Sequence, residues 1–408
     1  MNAFNEELIS RLSDLRQQNL FRELRRVDSP QSPRLSIDGK TYLNFSSNDY
    51  LGLANEPALK EAAIEAIRKF GAGAGASRLI CGSLSPHHEL DEALAAFKGT
   101  QAALAFSSGY AAVTGMIGAL LDSNDVIVLD KLVHASIVDA ARLCGAKVRV
   151  FGHNNLNDLE KILRWADSRH AAPAVVQTER KPRTLIVTES IFSMDGDHAP
   201  LREMVGLKEQ FGAWLMVDEA HATGLYGSAR RGLAEELGVA PRIEIQMGTL
   251  GKALGSSGGY ICGPRSLIEY LINRARPFVF STAPVPAAAA AATAGVRFVQ
   301  SAAGEQRRNQ LWSNVEAFHR AAEPENKSGG TERRHKQSAI IPIIIGDETR
   351  AMKIAAALRE QGIFIPAIRY PTVGHGQARL RVTFSAAHKE ADIVQLRAAL
   401  QSALNFKP

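Results

Sequence analysis

Short apolar runs alternate with stretches of helical periodicity between Tyr42 and Phe280. The apolar runs are QAALAF, DVIVLD, AKVRVF, RTLIVTE, AWLMVDE, IEIQMG and GGYICG, and amphipathic or alanine-rich segments separate them. Runs of this length alternating with helices are typical of β-strands joined by helical crossovers. The pattern therefore predicts an α/β layer with a largely parallel sheet.

The pattern changes on both sides of this region. Residues 1–27 have the periodicity of an amphipathic helix, and the polar tract Ala321 to Gln337 predicts a surface turn. Beyond the tract, AIIPIIIG, IFIPAI and RLRVTFS predict strands, whereas TRAMKIAAALREQG and KEADIVQLRAAL predict helices. This order is typical of a small α+β domain.

Composition places the chain among soluble globular proteins. It has 408 residues, of which 45% are hydrophobic and 22% charged, enough for one large domain and a smaller one. The three cysteines lack CxxC spacing, so we expect neither a disulfide framework nor a zinc site, and a reducing, cytoplasmic location fits. Acidic residues near the N-terminus argue against a targeting peptide, and we expect no membrane segment.

Net charge adds a hint about partners. The formal charge is +6 and the pI about 9.2, which suits anionic partners such as phosphates, coenzyme A or an acidic carrier protein. Nucleic acid is the rival interpretation. The basic residues form no long block, however, so we expect no nucleic-acid partner.

Polar residues follow several of the predicted strands. Ligands of open α/β sheets bind beyond the carboxyl ends of the strands, which makes these positions candidates for a site. Taken singly, each also fits a turn, a helix cap or a surface side chain. The candidates are Ser107, Ser108 and Gly109; Glu189, Ser190 and Ser193; Asp218 and His221; and Thr249 and Lys252.

Together these residue types indicate pyridoxal 5'-phosphate (PLP) chemistry. A lysine amine binds the cofactor aldehyde, and an acidic side chain holds the ring nitrogen. The turn SSGYAA can offer backbone N–H groups to the phosphate at a helix N-terminus, with Thr249 as a hydroxyl donor. Glycines on both sides of Lys252 leave room for the cofactor.

Competing motifs do not fit the chain. GAGAGAS follows a helical pattern rather than a strand and lacks the GxGxxG spacing of dinucleotide sites. A P-loop needs glycine and Ser or Thr where the chain has Gln246 and Ala253. HHELDE is not HExxH, and no other His or Cys spacing indicates a metal.

A set of longer motifs resembles a known family. The motifs are NFSSNDYLGLA, GAGASRLICGS, HHELDEALAAF, DKLVHASI, TESIFSMDGD, VDEAHATG, GTLGKALGSSGGY and AIRYPTVGHGQARLR. They are similar to those of the α-oxoamine synthases, which are PLP enzymes of fold type I. The similarity extends from about Leu20 to His388. The resemblance implies an N-terminal helical arm at 1–41, a large PLP-binding domain at 42–285 and a small C-terminal domain at 286–408.

The resemblance also implies roles for individual residues around the cofactor. Lys252 would bind PLP and later act as the base at Cα, Asp218 would pair with the pyridine nitrogen, and His221 would contact the ring hydroxyl. His134 would stack over the ring. The remaining expected cofactor contacts are Ser108, Gly109, Tyr110, Ser193 and Thr249, with Ser281 and Thr282 coming from a neighbouring subunit of a homodimer.

Substrate contacts are implied at positions further from the lysine. Asn48 and Arg369 would bind the amino-acid carboxylate, with His134 nearby. Arg22 and Thr372 would lie near the acyl substrate, and Arg25 is the alternative to Arg22 because several arginines lie together.

The implied activity is a decarboxylative condensation of an amino acid with an acyl thioester. NFSSNDYLGL, FSMDGD and AIRxPTV resemble the branch that joins L-alanine to a pimeloyl thioester, on CoA or on acyl carrier protein, in biotin biosynthesis. Glu219 and Tyr370 depart from the commonest pattern of that branch. The alternatives are condensation of glycine with acetyl-CoA and a non-catalytic partner subunit, which would be expected to lack Lys252.

Overall fold

The computed structural model describes residues 2–171, 180–320 and 338–404. The tract from Ala321 to Gln337, predicted as a surface turn, lies outside these residues. The helices are α1 Ala3–Gln17, α2 Pro57–Phe70, α3 Ser85–Lys98, α4 Gly109–Leu120, α5 Ala135–Leu143, α6 Leu156–Ala171, α7 Leu201–Gln210, α8 Leu233–Glu236, α9 Arg265–Arg274, α10 Arg276–Val279, α11 Pro286–Gln300, α12 Ala302–Arg320, α13 Glu348–Glu360 and α14 Glu390–Leu404.

The strands fall into three sheets. They are β1 Arg34–Ile37, β2 Lys40–Asn44, β3 Ala102–Phe106, β4 Val126–Asp130, β5 Lys147–Phe151, β6 Thr184–Glu189, β7 Trp214–Asp218, β8 Ile245–Thr249, β9 Gly259–Gly263, β10 Ile340–Gly346, β11 Ile363–Phe364, β12 Ala367–Ile368 and β13 Ala378–Thr383. Every apolar run predicted as a strand between Tyr42 and Phe280 forms one.

The central sheet has seven strands in the order β3-β9-β8-β7-β6-β4-β5. Strand β9 is antiparallel to both of its neighbours, and the other strand pairs are parallel. Hydrophobic side chains cover both faces because alternate residues of a strand point to opposite sides. One face packs with Val126, Ile186 and Leu215, and the other with Ile127 and Leu185. The predicted, largely parallel α/β sheet is confirmed.

The parallel strands bring their polar end residues to one edge of this sheet. Strand β7 ends at Asp218, and β6 ends beside it because Glu189 is in register with Asp218. Strand β8 ends at Thr249, shortly before Lys252, and β4 ends shortly before His134. The fold itself therefore assembles the candidate residues that the sequence scatters over the chain.

The terminal segments form two three-stranded sheets apart from the central one, and the predicted smaller C-terminal α+β part is confirmed. Strands β1 and β2 make an antiparallel hairpin, and β11 from the C-terminal part joins β2 as a parallel neighbour. A second small sheet has the order β10-β13-β12. The domain boundaries at residues 42 and 286 stay predictions.

The N-terminal helix is shorter than the periodicity predicted. It ends at Gln17, and Asn19 adopts a left-handed backbone conformation with φ of 56°. Asparagine tolerates this conformation better than most residues, which makes it a common place for a helix to end. The segment with the arginines Arg22, Arg25 and Arg26 is consequently not helical. None of the described helices is long and apolar enough to cross a membrane.

A buried ion pair lies directly behind the sheet edge. The ammonium group of Lys98, at the end of α3, lies 2.6 Å from the carboxylate of Glu219, and both side chains are fully buried. The second carboxylate oxygen accepts from the backbone N–H of Ala234 at 2.9 Å. Since Glu219 follows Asp218 in the chain, the pair fixes the end of β7 against α3.

Removal of one partner should therefore be costly. We expect Lys98→Met to lower the free energy of unfolding by about 3–5 kcal/mol, because it leaves a buried carboxylate without its counter-charge. Urea denaturation of the purified protein measures this. The double variant Lys98→Met with Glu219→Gln should recover part of the loss, since glutamine is neutral. A Lys98→Met variant as stable as the parent would show that the pair contributes nothing.

Candidate active site

Residues from five strand ends line one cavity of about 200 Å³. The cavity lies at the carboxyl edge of the central sheet, where α/β proteins bind their ligands. Its walls are Gly109, Tyr110, His134, Ser136, Glu189, Asp218, Ala220, His221, Met247, Thr249 and Lys252. The structure thus brings together most of the residues that the sequence singled out as cofactor contacts.

Lys252 ends a chain of polar contacts. Its amine lies 2.8 Å from Nε2 of His221, and Nδ1 of the same ring lies 2.6 Å from the hydroxyl of Tyr50. Tyr50 is fully buried and His221 nearly so. The imidazole therefore holds the amine from one side and is itself fixed by a buried tyrosine.

Burial changes the ionisation of both basic groups. It lowers the pKa of Lys252 to about 8, although the carboxyls of Asp218 and Glu189 oppose the shift. Burial also lowers the pKa of His221 well below its usual value, helped by the charges of Lys252 and Arg381. A neutral imidazole and a lysine that loses its proton near pH 8 are the states an amine nucleophile needs.

Two carboxyl groups lie beneath the amine. One oxygen of Asp218 accepts from the backbone N–H of Ala220 at 2.8 Å, and one oxygen of Glu189 accepts from the N–H of Ser193 at 3.1 Å. Burial raises the pKa of Asp218, and burial next to Asp218 raises the pKa of Glu189 to about 8. The raised pKa values disfavour simultaneous ionisation of the two carboxyls near Lys252.

The start of α4 has the backbone geometry that can bind an anion. Ser108 is its N-cap and accepts from the N–H of Ala111 at 3.0 Å, so the first turn points its free N–H groups outward. A Cβ atom on Gly259 would lie only 2.5 Å from the Cα of Gly109, so only glycine permits this approach of strand and helix. Thr249 completes the wall, with its hydroxyl donating to the carbonyl of Gly258.

His134 forms the opposite wall as the N-cap of α5. The N–H of Ser136 donates to its Nδ1 at 3.2 Å, and the Ser136 hydroxyl lies 2.8 Å from the same atom. Partial burial of the ring lowers the pKa of His134. A neutral ring held by its Nδ1 can stack over a flat ligand in the cavity.

The residues present fit PLP. A neutral lysine would meet the aldehyde, a buried carboxyl would meet the ring nitrogen and a helix N-terminus would meet the phosphate. Oε1 of Glu189, which lines the cavity, is buried without a hydrogen-bond partner within the described part of the chain. Buried polar atoms rarely stay unpaired, which favours a polar ligand in this cavity.

A buried arginine reaches this region from β13. Arg381 is 8% exposed, and its guanidinium donates to the carbonyl of Ser193 at 2.5 Å and to the amide oxygen of Asn48 at 3.1 Å. The hydroxyl of Tyr50 is 3.5 Å away. All of these partners are neutral oxygens. A buried guanidinium with only neutral partners among the described residues is suited to a ligand carboxylate.

The other predicted substrate residues form a second group. The guanidinium of Arg369 donates to the carbonyls of Asn19 and Phe21 at 2.7 and 3.0 Å, and that of Arg22 donates to the Thr372 hydroxyl at 3.2 Å. The structure therefore uses Arg369 to fasten the N-terminal segment and places Asn48 with Arg381 instead. The carboxylate role predicted for Arg369 is better served by Arg381.

Ser281 and Thr282 do not line the cavity around Lys252. They border a separate recess together with Arg78, Ser107 and Pro277. This position agrees with a contribution to a second copy's site, which stays a prediction. Ser193 likewise acts through its backbone within this chain, between Glu189 and Arg381.

The sequence reasoning missed three members of the site. Arg381 lies in RLRVTF, a run predicted only as a strand, and Tyr50 lies in the quoted motif NFSSNDYLGL. Glu189 was noted at a strand end without a role. An arginine alternating with apolar residues in a buried strand was the available signal, because such a charge needs a partner.

Comparisons with known proteins agree with this geometry. The family model described as aminotransferase class I and II matches residues 40–400. The 8-amino-7-oxononanoate synthase of Geotalea daltonii is 46% identical over 96% of this chain and 95% of its own length. The enzyme of the same name from Geobacter sulfurreducens is 45% identical, covering 95% of each protein.

Solved structures give the same family. Serine palmitoyltransferase from S. paucimobilis, with bound PLP and myriocin, superposes with a TM-score of 0.86 at 31% identity, over 99% of this chain and 98% of that one. An 8-amino-7-oxononanoate synthase from Francisella tularensis gives a TM-score of 0.70 at 26% identity, covering 89% and 98%. The chain is therefore similar to PLP enzymes over nearly its whole length.

The lowered pKa of Lys252 predicts how the protein takes up PLP. We expect the rate of cofactor capture to rise with pH and to level off above about 8, because only the neutral amine attacks an aldehyde. Stopped-flow absorbance of the cofactor-free protein measures the rate. A midpoint near the usual lysine value of ~10.4 would contradict the assignment.

The matched variants separate this lysine from others. Lys252→Ala should lose the visible absorption of lysine-bound cofactor, whereas Lys131→Ala, which removes an exposed lysine, should keep both the absorption and its pH dependence.

Proposed function

The chain belongs to the aminotransferase class I and II family, within its 8-amino-7-oxononanoate synthases, and we propose that it makes 8-amino-7-oxononanoate in biotin biosynthesis. It condenses L-alanine with a pimeloyl thioester and releases CO2 and the free thiol of CoA or of a carrier protein. The observation that carries this proposal is the buried contact between Arg381 and Asn48, which Tyr50 and His221 connect to the Lys252 amine.

PLP supplies an aldehyde that binds amines and a ring that withdraws electrons from the amino-acid Cα. The amine of Lys252 would hold PLP through its aldehyde and would take the Cα proton of the bound amino acid on Nζ. Its pKa of about 8 suits both tasks, since the amine must be neutral to attack and basic enough to accept a proton.

The neighbouring side chains control this amine and the ring. Asp218 would hold a proton on the ring nitrogen, and His221, whose Nε2 contacts Lys252, would also face the ring hydroxyl. His134 would pack over the ring face, and the N–H groups at the start of α4, beside Ser108 and Thr249, would hold the phosphate.

The substrate carboxylate is held by Arg381. Its guanidinium donates to the Ser193 carbonyl and to the Asn48 amide oxygen. Arg381 is buried and Asn48 is half-buried. Burial excludes water from this ion pair and so strengthens it. Holding the carboxylate in one orientation also decides which bond at Cα is aligned for cleavage.

The acyl thioester enters from the side of the N-terminal segment. Arg22 and Thr372 contact each other there, and Arg369 fastens the same segment through two backbone carbonyls. Arg25, which is exposed and not helical, is the alternative to Arg22 for contact with the donor. The net charge of +6 suits either an acidic carrier protein or CoA phosphates.

A homodimer completes the site in this proposal. Ser281 and Thr282 lie exposed near a surface with other exposed apolar side chains, among them Phe280 and Ile80. In a dimer formed through this surface, the hydroxyls of Ser281 and Thr282 of each copy would reach the phosphate site of the other copy. We place the dimer in the cytoplasm, where its free cysteines stay reduced.

Condensation of glycine with acetyl-CoA is the second candidate activity. It uses the same lysine, aspartate and histidines, and discrimination between alanine and glycine depends on space for one methyl group, about 1–3 kcal/mol. A non-catalytic partner role is disfavoured by the Lys252 amine with its lowered pKa.

Product analysis decides between the two activities. With PLP and both substrate pairs, we expect thiol release and 8-amino-7-oxononanoate from L-alanine and pimeloyl-CoA, because the similarity to 8-amino-7-oxononanoate synthases favours it. Mass spectrometry identifies the product. Preferential turnover of glycine with acetyl-CoA would move the chain to the second activity, and no turnover of either pair would contradict both.

Substitution of the two arginines tests which one binds the carboxylate. We expect Arg381→Gln to raise the KM for L-alanine about ten- to hundredfold, the loss of one charge-assisted hydrogen bond. Arg369→Gln should raise the same KM by less, because that side chain holds backbone carbonyls. Steady-state kinetics with varied L-alanine measures both, and the reverse order would restore the assignment to Arg369.

A further inference from the structure

A histidine outside the cavity links three strand ends of the central sheet. His153 follows β5, and its Nδ1 lies 2.9 Å from the carboxylate of Asp130 at the end of β4. Its Nε2 lies 2.7 Å from the carboxylate of Asp197 in the segment after β6. The side chain is 24% exposed, and Asp130 is fully buried. Neither contact belongs to the cofactor site described above.

The geometry of these contacts fixes the protonation state. Carboxylate oxygens can only accept hydrogen bonds, and a neutral imidazole has a single N–H. Both ring nitrogens must therefore carry a proton for both contacts to form, which makes His153 an imidazolium between two carboxylates. Burial lowers the pKa of His153, but the hydrogen bonds to Asp130 and Asp197 outweigh it and raise the pKa to about 10.

Adjacent groups reinforce the same connection. The amide of Asn154 donates to Asp197 at 3.1 Å and to the carbonyl of His198 at 3.2 Å, while its backbone N–H donates to Asp130 at 2.8 Å. The ring of Phe192 lies perpendicular to the imidazole with centroids 4.3 Å apart. The Asp130 oxygen that contacts His153 also accepts from the N–H of Leu132 at 2.8 Å, shortly before His134.

The segment from Phe192 to Asp197 forms a tight turn, one residue of which contacts the active site. The N–H of Phe192 donates to the Asp197 carbonyl at 3.0 Å, and the N–H of Gly196 donates to the Phe192 carbonyl at 2.8 Å. Within this turn Ser193 contacts Glu189 through its N–H and Arg381 through its carbonyl. The position of Asp197 thus determines where the carbonyl that aims Arg381 can lie.

We propose that His153 is a positioning residue that, as an imidazolium clamped between Asp130 and Asp197, holds the Phe192 to Asp197 turn and thereby orients Arg381 toward the substrate carboxylate. The proposal rests on the proposed function for the identity of the substrate. It assigns the charge of His153 to amino-acid binding rather than to the chemical steps, because the Ser193 carbonyl of this turn contacts Arg381 directly, whereas Lys252 lies further along, beyond Tyr50 and His221.

Solution NMR tests the protonation state directly. Protein labelled with ¹⁵N-histidine, saturated with PLP, should show two protonated ring nitrogens for His153 at pH 8.5, with the signal assigned by its loss in His153→Gln. An unrestrained histidine is neutral at this pH. Ring nitrogens with the shifts of a neutral imidazole would overturn the proposal.

Amino-acid binding tests the positioning role. Calorimetric titration of L-alanine into the PLP-loaded enzyme should give a Kd about tenfold higher for His153→Gln than for the parent. In steady state the KM for L-alanine should rise by a similar factor while kcat stays within about twofold. Asp197→Asn, which keeps the shape of the side chain, should have the same effect, and the double variant should be no worse than either single one.

A matched control separates positioning from lost stability. Lys208→Met breaks another ion pair, in which the buried Lys208 contacts the partly exposed Glu244 next to the start of β7, at the edge of the sheet away from the cavity. It should lower Tm without changing the Kd for L-alanine. Unchanged Kd in both His153→Gln and Asp197→Asn overturns the proposal. A parent enzyme that binds no L-alanine at all counts instead against the proposed function, while the NMR result still decides the state of His153.

Discussion

The contact between the buried amine of Lys252 and the imidazole of His221 is the interaction on which the site depends. It lies where three parallel strands end, and burial keeps the imidazole neutral and brings the pKa of the amine to about 8. Tyr50 fixes the far side of the ring, and the carboxyls of Asp218 and Glu189 limit how far the amine pKa falls. The central sheet positions these groups at its carboxyl edge and buries them away from water.

The buried charged side chains around this contact differ in how they are neutralised. Lys98 and Glu219 form a closed ion pair behind the sheet edge, and His153 is shared by two carboxylates. Arg381 differs because its partners are neutral oxygens, so its charge stays available to a ligand. The closed ion pairs stabilise the strand ends, whereas the charge of Arg381 is the one that, in the proposed function, a substrate carboxylate would neutralise.

Much of the fold and part of the site could be predicted from the sequence. Alternating apolar runs gave the strands because burial on both faces leaves a continuous hydrophobic signal, and strand-end residues such as Asp218 and Lys252 follow from the topology. Arg381 and the Arg369 contacts could not be predicted, because they depend on how β13 and the N-terminal segment pack at long range. The end of α1 at Gln17 could not be predicted either, because the helical periodicity continues in the sequence beyond the left-handed Asn19 that ends the helix.

Chemical trapping of the cofactor tests the central claim most directly. Borohydride reduction of the PLP-loaded protein makes the bond between lysine and cofactor permanent, and peptide mass spectrometry then identifies the modified residue. The account predicts one modified peptide, carrying the cofactor on Lys252, at a stoichiometry of about one per chain. Modification of a different lysine, or scattered modification of exposed lysines with Lys252 unlabelled, would contradict it.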